Sequence, residues 1–163
     1  MRHILTSLVL GVLLFPSLAL GETVKWDDLV ERESLHYKKF TDVPFTGKVT
    51  GTGQGKLENG ERVGPWVNYH NNGQLYYKGT YKNGKRDGPW VRYHDNGQLY
   101  YKGTYKNDKR DGPWVRYHDN GQLSSKRTYK NGKKDGLWVR YTKDGTVDEE
   151  YTGTYKDGVR ISD

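Results

Sequence analysis

The chain has 163 residues, no cysteine and a formal net charge of +7. The missing cysteines exclude disulfides, cysteine-bound zinc and a lipid anchor through a thiol. Hydrophobic residues make up only 33%, against about 45–50% in globular domains on a count that includes glycine, but 14 Tyr, 5 Trp and 21 Gly recur in phase and argue against a disordered chain.

In chain order, Arg2 and His3 precede the apolar run ILTSLVLGVLLF, Pro16 interrupts it, and SLALG follows. A positive start, an apolar run and small residues at a cleavage site read as a secretory signal peptide over 1–21. Ala19 and Gly21 fit the −3 and −1 positions, so cleavage is expected before Glu22, or alternatively after Ala19. An uncleaved anchor is the weaker reading, because the run is short for a hydrocarbon core of ~30 Å. Export to the periplasm or cell surface is therefore expected. Residues 22–52 lack the unit that follows. They read as an N-terminal cap built of a short strand pair, with WDDLVERE alternatively one or two helical turns.

From residue 53 to 145 the chain repeats every 24 residues, in units of about 53–76, 77–100, 101–124 and 125–145. Trp66, Trp90, Trp114 and Trp138 are in phase, as are Tyr69, Tyr93, Tyr117 and Tyr141. Two turn signals punctuate each unit. One series is Gly60, Gly84, Asp108 and Gly132, each after Asn; the other is Gly73, Gly97, Gly121 and Gly145. Asn-Gly and Asp-Gly tolerate the positive φ of tight hairpins. Each unit is thus two strands, near GPWVRYH and QLYYKGTYK. The expected fold is all-β: an elongated single-layer antiparallel meander of stacked hairpins, about eight to ten strands in all, spanning on the order of 40–50 Å. Residues 146–163 form a C-terminal capping hairpin turning at Gly158. Asp108 stands where the turn prefers glycine, so Asp108→Gly is expected to stabilise slightly.

A Gly between aromatics, as at Tyr77-x-Gly79-x-Tyr81, leaves room for a ring from the next strand to lie on the backbone. Ideal alternation puts Trp90, Arg92 and His94 on one face with Tyr100 and Lys102. Val91, Tyr93, Leu99, Tyr101 and Tyr105 fall on the other, unless a bulge at Gly88 or Gly103 swaps part of this.

The segment GPWVRYHDNGQLYYKGTYKNDKRDG (88–112) resembles the MORN-repeat variant (membrane occupation and recognition nexus) of YwqK-type antitoxin-component proteins. DVPFTGKVTG (42–51) and YTGTYKDGVRISD (151–163) look like the ends of exported bacterial members. The resemblance implies stacked β-hairpins and an interaction role; eukaryotic MORN proteins are linked to membrane lipids and protein scaffolding. It also implies an antitoxin or immunity-type alternative, which a cytoplasmic setting would suit better than export. The last unit departs from the pattern: Arg127 replaces Gly, and two extra residues lie within TVDEEYTG, as expected of a terminal cap.

No nucleophile, phosphate-loop or metalloprotease motif is present. No cofactor or metal is expected, and the protein is read as not an enzyme. Carboxylates such as Asp87 and Asp111 keep a hydrolase as a remote alternative, although their place before each Gly-Pro is what a turn requires. His70, His94 and His118 sit about 9–10 Å apart, two strands per step, too far to share one ion with bonds of ~2 Å. They read as turn histidines bonded to neighbours.

Charge is concentrated in the repeats. Units 74–97, 98–121 and 122–145 carry +3, +2 and +5, between −1 over 22–73 and −3 over 146–163. Lys78, Lys102 and Lys126 form one row, Lys82, Lys106 and Lys130 a second, and Lys85, Lys109 and Lys133 a third. Such rows suit an anionic envelope component, whether lipid headgroup, lipopolysaccharide or glycan; the alternative is protection against aggregation. The Trp row with Arg92, Arg116 and Arg140 suits a sugar or peptide, or is the sheet's packing ladder covered by Arg. Candidate partners are thus a protein or an anionic envelope component, export argues against nucleic acid, and open sheet ends allow a monomer or an edge-paired dimer.

Overall fold

Tight turns set the architecture. At Asn83-Gly84 φ is 49° and 70°, the paired left-handed geometry of a hairpin turn whose twist matches its strands. Asn59, Asn107 and Asn131 begin equivalent turns, with φ of 49°, 48° and 52°. The structure, a computed structural model, describes residues 21–162. The leader assigned to 1–21 lies outside these, apart from Gly21.

Among the described residues fifteen strands form: β1 (Thr23–Lys25), β2 (Leu29–Arg32), β3 (Leu35–Lys38), β4 (Gly47–Thr50), β5 (Gly53–Glu58), β6 (Glu61–Tyr69), β7 (Leu75–Lys82), β8 (Lys85–Tyr93), β9 (Leu99–Lys106), β10 (Lys109–Tyr117), β11 (Leu123–Lys130), β12 (Lys133–Lys134), β13 (Gly136–Arg140), β14 (Gly153–Lys156) and β15 (Val159–Ser162). Thirteen make one sheet in the order β1-β4-β5-β6-β7-β8-β9-β10-β11-β13-β14-β15, with β12 beside β11. It is an open meander of stacked antiparallel hairpins, except that β1 pairs with β4 in parallel. The count exceeds the expected eight to ten because the flanks hold six strands, β1 to β4, β14 and β15. Three of the strands with tryptophan, β6, β8 and β10, are also longer than expected, at nine residues each, while β13 is shorter, at five. Lys85–Tyr93 is one strand, since an irregularity at Asp87-Gly88-Pro89 lets Trp90 pair with Gly79 while Arg86 still pairs with Tyr81.

Residues 22–52 supply the two strands at one end of the sheet, β1 and β4. β2 and β3 form a separate two-stranded sheet, and WDDLVERE resolves into a single 3-10 turn, Trp26–Asp28, before β2. Trp26 meets Trp66 edge-on at 5.9 Å, so the cap covers the last indole of the ladder. Phe45, Val49, Leu57 and Trp66 are the buried core here. The pin is His36, which is buried. Its Nδ1–H donates to the Gly60 carbonyl at 3.0 Å, and Nε2 accepts from Arg62 at 3.3 Å.

Desolvation lowers the His36 pKa below 6.5; the Gly60 hydrogen bond opposes it, Arg62 adds to it, and the exposed Glu31 opposes it. The unfolded chain therefore takes up this proton first. The stabilisation is complete above the unfolded value of 6.5 and is lost as pH falls below it. The melting temperature should fall more steeply in the wild type than in His36→Gln between about pH 7.5 and 5. Parallel slopes would remove His36 as the acid-sensitive pin.

Asp108 adopts φ 63°, as its turn requires, but it is compensated. Its carboxylate accepts from Arg86 Nε at 2.7 Å and from the Arg86 backbone N–H at 3.0 Å, while its own N–H donates to the Arg86 carbonyl. The half-exposed ion pair is worth about 0.2–1 kcal/mol, close to what glycine would gain in the turn. Asp108→Gly should thus stay within about 0.5 kcal/mol of wild type in thermal unfolding, rather than stabilise; a clear gain would show that the Arg86 contacts contribute nothing.

Candidate functional site

The two faces of the sheet carry different chemistry, and a one-residue bulge assigns them. In β8–β9, Tyr93 pairs with Leu99 but Arg92 pairs with Tyr101, leaving Tyr100 as the extra residue. Tyr76 and Ser124 are extra in the same way. The bulge flips the alternation of everything after it. Trp90, Arg92, Tyr101, Gly103 and Tyr105 share one face; Val91, Lys102 and Thr104 share the other. This corrects three placements expected from ideal alternation: Lys102 leaves the Trp face, and Tyr101 and Tyr105 join it. Against β7 the register also slips at Asp87-Gly88-Pro89, but by two residues, so Arg86 and Trp90 stay on one face; the bulge that reverses the alternation lies at Tyr100, not at Gly103.

On the aromatic face the four repeat tryptophans are buried, at 1% exposure for Trp66, 5% for Trp90 and Trp114 and 8% for Trp138. Each lies in a line of alternating Trp and Tyr rings: Tyr81–Trp90 at 5.4 Å, Trp90–Tyr105 at 5.6 Å, Tyr105–Trp114 at 4.9 Å. Such edge-to-face pairs contribute about 0.5–1.5 kcal/mol each beyond area burial. Glycine makes room for them. A Cβ on Gly79 would stand 2.1 Å from the Trp90 ring, and one on Gly103 2.3 Å from Trp114. The buried indole N–H finds the backbone: Trp114 Nε1 donates to Thr104 at 3.1 Å and Trp138 Nε1 to Thr128 at 2.8 Å.

Two cationic rows flank the tryptophans. Arg92 lies 4.5 Å over Tyr76 and Arg116 4.9 Å over Tyr100; Arg140 lies over Tyr151 and pairs with Asp148. The second row, Arg62, Arg86, Arg110 and Lys134, sequence reasoning missed. These residues stack on Tyr81, Tyr105, Tyr129 and Tyr155. The signal was their 24-residue phase with Trp; the intervening Asp-Gly-Pro made them look like turn residues.

The opposite face carries the lysines. Lys78, Lys102 and Lys126 alternate with Val67, Val91, Val115 and Val139 in one line across the sheet. Lys82 faces Lys85 directly, Lys106 faces Lys109 and Lys130 faces Lys133. All nine lysines are exposed, and among the described residues none forms an ion pair with a carboxylate. Nine lysines thus form a grid about 20 Å along the sheet. It begins beside an acidic pair, Glu58 and Glu61, and ends at Lys156, which is paired with Asp135. All three candidate rows therefore come together, on the face opposite the Trp and Arg rows.

The turns are occupied by structure. His70, His94 and His118 donate Nε2–H to the carbonyls of Tyr93, Tyr117 and Tyr141, one unit onward. Asn72 and Asn96 donate to Asp95 and Asp119 carbonyls at 2.8 Å. Asp87 and Asp111 accept from the N–H of Asn107 and Asn131. Among the described residues, no three His, Asp or Glu gather as metal ligands.

These stitched, in-phase hairpins are what a repeat family requires. Residues 62–83, 86–107 and 110–131 each match the MORN repeat variant. No curated protein matches the chain. The three matched MORN repeats supply all of β6 to β11 but for their end residues, and so hold the central Trp ladder and most of the lysine grid. Stacked repeats of this kind present an extended, repetitive surface, the form of a repeat-type binding module.

Proposed function

We propose that this protein is an exported, non-enzymatic binding module that engages an anionic polymer or surface of the cell envelope through its lysine face. The observation that carries this reading is the row of directly opposed pairs, Lys82–Lys85, Lys106–Lys109 and Lys130–Lys133. Like charges opposite one another destabilise a sheet, and protection of a sheet from aggregation needs no such stacking of one sign. An external polyanion turns the repulsion into attraction. The valines between the inner lysines give the face a shallow apolar floor. The aspartates that a hydrolase reading would need are bonded to turn N–H groups, which supports the non-enzymatic part.

The test is binding of the chain from residue 22 to vesicles with and without anionic lipid and to lipopolysaccharide, over a range of salt. Binding is expected only to the anionic arms and should weaken steeply as the Debye length shrinks. Binding that ignores salt, or that neutral vesicles match, would sink the reading. A protein partner is the second reading. It is favoured by β15, an edge strand on which Val159 and Ile161 are 66% and 62% exposed, as strand addition requires.

A further inference from the structure

The fourth unit breaks the ladder at several points that meet in space. Tyr76 and Tyr100 become Ser124, Tyr77 and Tyr101 become Ser125, and Gly79 and Gly103 become Arg127. In earlier units the second of these tyrosines packs on the next tryptophan: Tyr77 on Trp90 at 5.0 Å and Tyr101 on Trp114 at 5.4 Å. Among the described residues no tyrosine holds the equivalent place on Trp138, where Ser125 stands. Its ring has also turned. It meets Tyr129 at 60° and Tyr155 at 48°, where the contacts of Trp66, Trp90 and Trp114 with Tyr81, Tyr105 and Tyr129 lie between 75° and 87°.

The consequence is a hollow of about 260 Å³ on the aromatic face, lined by Arg127, Lys134, Trp138, Arg140, Tyr151 and Tyr155. Three cations point to one place. Arg127 lies 4.9 Å and Lys134 4.4 Å over the Trp138 ring, and Lys134 lies 4.3 Å over Tyr155. Only Arg140 has a carboxylate, Asp148 at 3.4 Å; among the described residues Arg127 and Lys134 have none. The aromatic rings fix both cations without neutralising them, so they are held ready for an anion.

We infer that this hollow is a compact oxyanion site for a phosphate- or sulfate-bearing ligand. Arg127 and Lys134 grip the anion, and Tyr151, which is 53% exposed, forms a wall for the group that carries it. The site is on the face opposite the lysine grid and takes one terminal anion rather than an extended one.

Arg127→Gly restores the residue of the earlier repeats, so it is expected to leave the fold intact. Titrations of inorganic phosphate, glucose 6-phosphate, glucose 6-sulfate and short-chain phosphatidic acid would be followed by the Trp138 indole N–H resonance and by calorimetry. Wild type should bind at least one probe, and Arg127→Gly and Lys134→Gln should each weaken it on the order of 10-fold. Which probe binds separates a phosphosugar, a sulfosugar, a lipid headgroup and free phosphate. Lys78→Gln/Lys102→Gln/Lys126→Gln should shift the Trp138 resonance as wild type does, whatever calorimetry shows of the lysine face, so failure of the lysine-face reading does not touch this result. No shift of Trp138 with any probe would overturn the site. So would equal binding by a folded Arg127→Gly, or loss only in the lysine-face variant.

Discussion

Gly103→Ala should destabilise the protein by about 2–3 kcal/mol, although it adds a single methyl group. The methyl would stand 2.3 Å from Cδ2 and 2.4 Å from Cε2 of Trp114, well inside contact distance. The ring has nowhere to go: Tyr101, Tyr105 and Tyr129 surround it and Arg110 lies 4.7 Å above it. The fourth unit shows what relief demands. Arg127 has a Cβ at the equivalent position, and Trp138 is tilted beside a missing tyrosine. Thermal and denaturant unfolding would give the loss, and a double-mutant cycle its cause. In a Trp114→Phe background the smaller ring should absorb most of the clash, so the two substitutions should couple by more than about 1 kcal/mol. Additive effects would mean that Gly103 matters for backbone freedom and not for the indole.

Lys102→Gln/Lys106→Gln/Lys109→Gln should weaken binding to an anionic surface on the order of 100-fold, since each lysine near such a surface contributes about 1 kcal/mol. The same substitutions should leave stability unchanged or raise it slightly, because they remove the Lys106–Lys109 repulsion across the hairpin. That divergence of binding from stability is the useful readout. Vesicle co-sedimentation at two salt concentrations, beside thermal unfolding, measures both. Unchanged affinity in a folded triple variant would move the ligand off this face.

The sequence by itself determined the repeat and what builds it. The 24-residue phase of Trp and Tyr, the alternating Asn-Gly turns and the glycine between tyrosines together dictate stacked hairpins with rings laid over glycine, because each of these signals is local. Asn83-Gly84 makes its turn whatever surrounds it, and Gly79 needs only the next strand. The basic rows were legible for the same reason: residues in phase lie in line on a regular sheet. What only the tertiary structure decided is which face those rows occupy. One unpaired residue at Tyr100, in a strand of otherwise strict alternation, reverses every side chain from Tyr101 to Lys106. Periodicity cannot register such a bulge, since Leu-Tyr-Tyr-Lys reads equally well in either phase. It is fixed by the pairing of Arg92 with Tyr101, which brings that tyrosine onto Trp114. The same holds for His36, whose burial depends on a carbonyl and a guanidinium from β5–β6 meeting a cap 24 residues earlier. It holds also for the hollow at Trp138, where Ser125, Arg127 and Lys134 look like decay of the repeat until folding places them around one ring.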